Sequence, residues 1–270
     1  MSGDKRLYDV ARQTFGSSTS VPKSQQNKTV QQVQKSQTVI PQKDKRVKNS
    51  TIKTLSDFAN ASVQEQKAFI DSIKHISLPN GYEDNLTQRL NLALQFNKPA
   101  MAELSDSDFE GYQKLTNAEV WYRVPYGART AQSKDFVTTE MTESAKDAHF
   151  FGGAARHGNG LYFAQDSEEY AWGSSTHQYR AMLSPSAKVL NFENWSGSKT
   201  RTEYENWAKS VGVKPNNQNI SLYALSKGYD AIRSIGGNHG QKQAGKMDYL
   251  VPVNRSVLIY NSSNYRKIKK

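Results

Sequence analysis

The residues best suited to chemistry lie in the stretch 156–172, where a glycine-rich turn leads into a short apolar run. The run at 161–164 is typical of a buried strand, because short apolar runs bounded by turn residues favour strands. Gly158 and Gly160 lack a Cβ, so a ligand can approach their backbone closely. The turn and the strand together therefore indicate a place where a small molecule can bind.

A helix start and two aromatic rings belong to the same stretch. Asp166 and Ser167 have the chemistry of a helix N-cap, so Tyr162 leaves the unit from the strand and Tyr170 leaves it from the helix. Two rings placed in this way can hold a flat, amide-bearing heterocycle between their faces. The alternative is an ordinary strand and helix whose tyrosines lie in the core. The spacing alone leaves both interpretations open.

A second chemical feature is Arg123, which lies inside the apolar run 120–124. A guanidinium is unfavourable among apolar residues unless it is paired. It can reach solvent from the strand end, or it can pair with an aspartate or a glutamate. Its planar, forked donors also suit the oxygens of a pyrophosphate, so Arg123 is a candidate phosphate-binding residue.

The composition excludes several kinds of site. The 270 residues include no cysteine, which rules out disulfides and thiolate metal sites. The five histidines are scattered without ligand spacing, so no metal is expected. No apolar run is long enough to span a bilayer, and the N-terminus lacks the apolar core of a secretory signal. We therefore expect a soluble protein without membrane contact that begins its life in a cytoplasm.

Positive charge is concentrated at the start of the chain. The net charge is +11, and residues 1–53 hold eleven Lys and Arg against three Asp, a net charge of +8. Residues 16–53 bury too little apolar surface to offset the ordering of their backbone. We expect residues 1–53 to form a disordered basic arm. Such an arm binds nucleic acid or another anionic surface, or it is a solubilising tail without a specific partner.

Helical spacing dominates residues 54–117. Ser62-Val63-Gln64-Glu65 has the pattern of a capping box and begins one helix. Another helix is expected to start at Ser105 or Ser107 and to bury the apolar positions that follow, which are Phe109, Tyr112 and Leu115. These helices are expected to pack on the rest of the protein and to carry no chemistry.

Strand patterns dominate the remainder of the chain. They occur at 120–124, 161–164, 178–183, 188–192, 228–232, 248–253 and 257–260, with helices at 200–211 and 219–226 and around 142–151. The segments 178–183 and 188–192 are interpreted as a strand pair or as one bent strand. The glycine-rich loop 236–246 carries two lysines and no acidic residue.

Three of these pieces, in this order and spacing, resemble the ADP-ribosyltransferase superfamily. They are Arg123 on a first strand, the run 158–164 in the middle, and Asp248 at the start of a late strand. The middle run is similar to the Gly-x-Gly-Ile-Tyr-Phe-Ala run of the poly(ADP-ribose) polymerase-type branch, and Ser167-Glu168-Glu169-Tyr170 is similar to the Ser-x-x-Tyr helix of that branch. The first-strand arginine is similar to that of the toxin-type branch. The resemblance covers residues 118–260.

The resemblance implies an α+β fold with a split, mostly antiparallel β core and flanking helices. NAD would lie in a cleft between two small sheets. The implied domain organisation is a disordered basic arm at 1–53, a helical segment at 54–117 that packs on the core, and a catalytic domain at 118–270.

The resemblance also implies a set of site residues. Asp248 falls where the family usually places its catalytic glutamate, and Arg123 and Tyr162 complete the implied catalytic set. Arg123 would hold the phosphates or the ribose, the two tyrosines would pack on the nicotinamide, and Ser167 would donate to its carboxamide. The implied NAD-binding positions are Arg123, Val124, Gly158, Gly160, Tyr162, Ser167 and Tyr170.

Two departures from the family pattern affect the expected acceptor. Asp248 is one methylene shorter than glutamate, so its strand must come closer to the substrate. The arginine-modifying toxins carry Glu or Gln two residues before the catalytic acid, whereas this chain carries Lys246. Modification of protein arginine in that manner is therefore not expected. The basic loop 236–246 is better suited to an acidic or nucleic-acid acceptor.

The resemblance implies an NAD-dependent mono-ADP-ribosyltransferase. It would cleave the nicotinamide–ribose bond and transfer ADP-ribose to a macromolecular acceptor, a host protein or a nucleic acid. NAD would be a substrate, and no metal is implied. Such a protein would act in a cytoplasm, or be delivered into a host cell as a phage- or toxin-type effector or virion protein. The alternative is a catalytically degenerate transferase fold that acts as a basic protein associated with nucleic acid or with a virion.

Overall fold

The computed structural model describes residues 50–78, 85–123, 141, 157–165, 179–235, 237–238, 241–242 and 248–263. Six α-helices lie within these residues: α1 (Leu55–Asn60), α2 (Val63–Ile73), α3 (Leu86–Leu94), α4 (Asp106–Thr116), α5 (Lys199–Ser210) and α6 (Ile220–Ser226). The fold is therefore of the mixed α and β class, as the sequence predicted.

The strands within the described residues form one eight-stranded sheet and one two-stranded ribbon. The strands are β1 (Ala102–Glu103), β2 (Trp121–Arg123), β3 (Phe163–Ala164), β4 (Tyr179–Leu183), β5 (Val189–Glu193), β6 (Ala231–Ile235), β7 (Gly237–Asn238), β8 (Gln241–Lys242), β9 (Tyr249–Pro252) and β10 (Leu258–Asn261). The order in the large sheet is β1-β10-β4-β2-β3-β9-β6-β5. The two outermost pairs are parallel and the five inner pairs are antiparallel. The sheet is thus mostly antiparallel, as expected.

Local sequence explains where the helices begin. In α2 the Ser62 hydroxyl accepts the N–H of Glu65, and the Glu65 carboxylate accepts the N–H of Ser62, which is the predicted capping box. Ser105 caps α4 in a similar way by accepting the N–H of Asp108. These side chains satisfy N–H groups that the first helical turn leaves without a partner.

Side-chain alternation gives the large sheet two faces. One face carries a buried aromatic and aliphatic cluster, and we call it the Trp121 face after its members Trp121, Phe163, Tyr179 and Leu250. We call the other face the helix face, because residues such as Ile232 and Val251 pack there with the apolar side chains of α1, α2, α3, α5 and α6. Helix α4 covers the helix face of β4 and β10 through Phe109 and Tyr112.

Three expectations about packing need correction. Segments 178–183 and 188–192 form β4 and β5, which do not pair with each other: β4 lies between β10 and β2, whereas β5 joins the far edge beside β6. Leu115 lies in α4 but is 54% exposed, because only Phe109 and Tyr112 face the sheet. Part of the loop 236–246 forms the ribbon β7–β8.

The expected split of the sheet is not seen as a break in hydrogen bonding. The ladder runs continuously from β1 to β5, but it is thinnest between β2 and β3, which share the single register pair Tyr122 and Ala164. Strands of three and two residues leave no room for a longer ladder. Ile52, which the prediction assigns to the arm, is buried in the core of the helix face.

Candidate functional site

Arg123 is the last residue of β2 and is held by the neighbouring strand. Its Nη1 donates a hydrogen bond to the backbone carbonyl of Tyr162, at 3.1 Å. In the ladder Arg123 is opposite Tyr179, a core residue of the Trp121 face. Because directly opposite residues point to the same side of a sheet, the Arg123 side chain leaves β2 on the Trp121 face.

The glycine-rich turn before β3 packs closely against α6 and β9. Gly158 has a φ of +108°, and a Cβ on it would lie 2.5 Å from the Ser221 hydroxyl. A Cβ on Gly160 would lie 2.6 Å from the carbonyl oxygen of Pro252. Both positions therefore require glycine for packing within the protein itself. The contact with NAD that was predicted for these glycines stays a prediction.

Tyr162 belongs to an aromatic cluster on the helix face. Its hydroxyl donates to the carbonyl of Gly158 and accepts the backbone N–H of His157, the latter at 3.1 Å. The His157 ring stacks on Tyr249 with centroids 5.0 Å apart, and its Nδ1 lies 2.8 Å from the Ser234 hydroxyl. His157 was not singled out from the sequence. Its place directly before the glycine turn is the signal that could have drawn attention to it.

Asp248 precedes β9 and forms an ion pair with Arg233 of β6. Arg233 Nε lies 2.7 Å from Asp248 Oδ2, and Arg233 Nη1 lies 3.0 Å from Glu119 Oε2. We call these three residues the acid–arginine–acid cluster. The side chains of Asp248, Arg233 and Glu119 are 16%, 29% and 49% exposed, so the cluster lies at the edge of the protein interior. Neither Arg233 nor Glu119 was among the residues predicted from the sequence.

The acid–arginine–acid cluster and the His157–Ser234 pair lie on opposite faces of the sheet. Arg233 and Ser234 are consecutive on β6, so their side chains point in opposite directions. Arg233 is opposite Leu250 in the ladder, which assigns the acid–arginine–acid cluster to the Trp121 face. Ser234 contacts His157 on the helix face. The structure thus brings Asp248 and Arg123 to the Trp121 face. The ring of Tyr162 lies on the helix face, with the aromatic rings of His157 and Tyr249.

Several predicted site residues lie outside the described residues. They are Val124, Ser167 and Tyr170. Lys246 and residues 1–49 of the predicted basic arm also lie outside the described residues. Their roles stay predictions.

The Trp121 face combines groups of both charges. A partly buried carboxylate can stabilise a positive centre next to it, and a guanidinium can bind phosphate oxygens. The acid–arginine–acid cluster holds two carboxylates and one guanidinium, which leaves one negative charge in excess. This face therefore combines a guanidinium that can bind phosphate oxygens with carboxylates that can stabilise a positive centre. Within the described residues, no group of three or more His, Cys, Asp and Glu side chains is arranged to hold a metal ion.

Comparison of the chain with protein-family models, with curated proteins and with solved structures found no match. Among the helices that the structure describes, none is both long enough and apolar enough to cross a membrane.

Proposed function

We propose that this protein is an NAD-dependent mono-ADP-ribosyltransferase. The observation that carries the proposal is the adjacency of β2, β3 and β9 in the sheet. These strands bring the regions of Arg123, Tyr162 and Asp248 together although the three residues are far apart in the chain. The shared face of Arg123 and Asp248 supports the family resemblance, because the resemblance requires both charged residues to contact one NAD molecule. The Tyr162 ring lies on the opposite face, so its predicted contact with nicotinamide has no such support.

The roles of the two charged residues follow from their shared face. Arg123 binds phosphate or ribose oxygens of NAD through its planar fork. Asp248 stabilises the positive charge that grows at C1′ of the ribose as the bond to nicotinamide breaks. The electron pair of that bond leaves with nicotinamide, the acceptor forms the new bond to C1′, and the acceptor's proton is released to solvent or to Asp248.

The acceptor is a macromolecule, a host protein or a nucleic acid. The positive charge of residues 1–53 and of the loop 236–246 favours an anionic acceptor. Such an enzyme fits a phage- or toxin-type effector that works in the cytoplasm of a host cell.

Incubation with NAD labelled in its adenylate part, in the presence of bacterial lysate, tests the proposal. We expect release of free nicotinamide together with transfer of the label to a macromolecule, which mass spectrometry then identifies. Release without transfer would identify an NAD glycohydrolase instead. Absence of release with lysate, DNA and RNA would exclude the proposed activity.

A second candidate is a catalytically degenerate transferase fold that binds nucleic acid or a virion component. The observation that favours it is the ion pair at 2.7 Å between Arg233 and Asp248, because a neighbouring guanidinium weakens the negative potential that a catalytic carboxylate offers. This candidate predicts no nicotinamide release. It also predicts salt-dependent binding to nucleic acid that is lost when residues 1–49 are removed.

A further inference from the structure

We propose that Arg233 and Glu119 are positioning residues that set the orientation and the effective charge of Asp248 during NAD cleavage. This inference rests on the proposed function and extends it, because neither residue belongs to the set implied by the family resemblance. It is carried by the acid–arginine–acid cluster on the Trp121 face.

The geometry of the cluster requires an arginine at its centre. Arg233 donates through Nε to Asp248 and through Nη1 to Glu119, at 2.7 and 3.0 Å. Two donors on one rigid plane fix the direction of both bonds. A lysine keeps the charge but has no planar fork, so it cannot hold the two carboxylates in the same relation.

Two further contacts restrain the cluster. The guanidinium carbon of Arg233 lies 5.5 Å from the centre of the Trp121 ring, within range for a cation–π contact. The Gln165 amide lies 3.4 Å from the second oxygen of Glu119. Arg233 therefore has a ring from β2 and two carboxylates around it, one from the residue before β9 and one from the chain leading into β2. Such support is what holds a catalytic carboxylate in a fixed orientation.

The charge balance explains why Glu119 is needed. Arg233 beside Asp248 alone would form a neutral pair, and a neutral pair stabilises a growing positive charge poorly. Glu119 contacts the same guanidinium and restores one negative charge to the cluster. Asp248 can then be oriented by Arg233 and still act as an anion towards the substrate.

The same kind of cluster occurs elsewhere in the protein and supplies a control. Arg180 lies 3.2 Å from Asp106 and 3.7 Å from Glu110. Glu110 is 50% exposed, which closely matches the 49% exposure of Glu119. Glu110→Gln therefore removes the same charge from beside another arginine, on α4 and β4, whereas Asp248 precedes β9.

The test measures kcat and KM for nicotinamide release by the wild type, Glu119→Gln, Glu110→Gln, Arg233→Lys and the double variant Glu119→Gln/Arg233→Lys. We expect Glu119→Gln to lower kcat about tenfold and to change the KM for NAD less than about twofold, since the lost charge acts in the transition state. Glu110→Gln should behave like the wild type. Because Glu119 acts through Arg233, the kcat of the double variant should be no lower than that of the more strongly affected single variant.

Three results would overturn the inference while the proposed function stands: a Glu119→Gln enzyme that matches Glu110→Gln, an effect on KM alone, or additive effects in the double variant. A wild type that releases no nicotinamide overturns the proposed function, and the inference falls with it. Glu119 is half-exposed, so its variant is expected to fold, and its thermal melting curve checks this.

Discussion

Arg123 Nη1 donates a hydrogen bond to the backbone carbonyl of Tyr162, and this bond of 3.1 Å joins the end of β2 to the residue before β3. The contact lies where the sheet is thinnest, since β2 and β3 share a single register pair. Arg123 therefore has a structural role beside its proposed role in binding NAD. The two roles are separable, because one appears in the stability of the fold and the other in kinetics.

Replacement of Arg123 separates these roles. We expect Arg123→Ala to lower kcat/KM for NAD about 10- to 100-fold, which is the effect of losing a charge-assisted hydrogen bond. The free energy of unfolding should fall by only about 1 kcal/mol. Arg89→Ala is a matched control, because Arg89 Nε also donates to a backbone carbonyl, that of Ile76, at 3.0 Å. An equal loss of activity in both variants would show that Arg123 has no direct role.

Replacement of Tyr162 distinguishes its hydroxyl from its ring. Tyr162→Phe loses the hydrogen bonds with Gly158 and His157, so we expect the free energy of unfolding to fall by about 1–2 kcal/mol. If the ring packs on nicotinamide, Tyr162→Phe keeps most of its activity and Tyr162→Ala does not. Tyr204→Phe is the control, since the hydroxyl of Tyr204 also donates to a backbone carbonyl, that of Asn216. Chemical denaturation and initial rates on the same samples give both quantities.

The glycine turn provides a prediction about stability. An added methyl group at Gly158 or Gly160 would come within 2.5 or 2.6 Å of another atom. We expect Gly158→Ala and Gly160→Ala each to destabilise the fold by about 1–3 kcal/mol. Gly197 has a φ of +80° but nothing within 4 Å of an added Cβ, so Gly197→Ala measures the backbone effect without the clash. Equal melting temperatures for Gly158→Ala and Gly197→Ala would contradict the packing described for the turn.

The capping boxes of α1 (Thr54 and Asp57) and α2 (Ser62 and Glu65) predict a loss of stability in acid. The N–H groups of Lys53 and Thr54 hold the pKa of Asp57 below its usual value of 3.8, and hydrogen bonds from Ser62 lower the pKa of Glu65 below 4.5. A carboxyl whose pKa is lowered by folding stabilises the protein above the unfolded pKa, and this contribution disappears as the pH falls through the folded pKa. The melting temperature should therefore fall as the pH is lowered below about 4.5. The variant Asp57→Asn/Glu65→Gln should lose less stability on acidification, and a drop equal to that of the wild type would refute this cause.

Local features of the fold could be predicted from the sequence. Capping residues act within one helical turn, so Ser62 and Ser105 located the starts of α2 and α4 closely. The outward position of Leu115 could not be predicted in the same way. The helical period places it near Phe109 and Tyr112, but the surface that a helix buries depends on its partner.

Relations across the sheet were harder to predict. The strand order separates β4 from β5, although only a short turn connects them in the chain. The pairing of Arg233 with Asp248 and Glu119 depends on this order, because it joins β6 to the residues that precede β9 and β2. No local pattern marks such a contact. The resemblance directed attention to Asp248, and only the structure identified the arginine beside it.

Nicotinamide release by the wild type and by Asp248→Asn, measured side by side with labelled NAD, tests the central claim most directly. Asp106→Asn serves as the control, because Asp106 is also a carboxylate paired with an arginine. We predict release by the wild type and by Asp106→Asn, and a rate lower by about 10²–10³ for a folded Asp248→Asn. Equal rates in the wild type and Asp248→Asn, or no release by any of the three proteins, would contradict the proposed function.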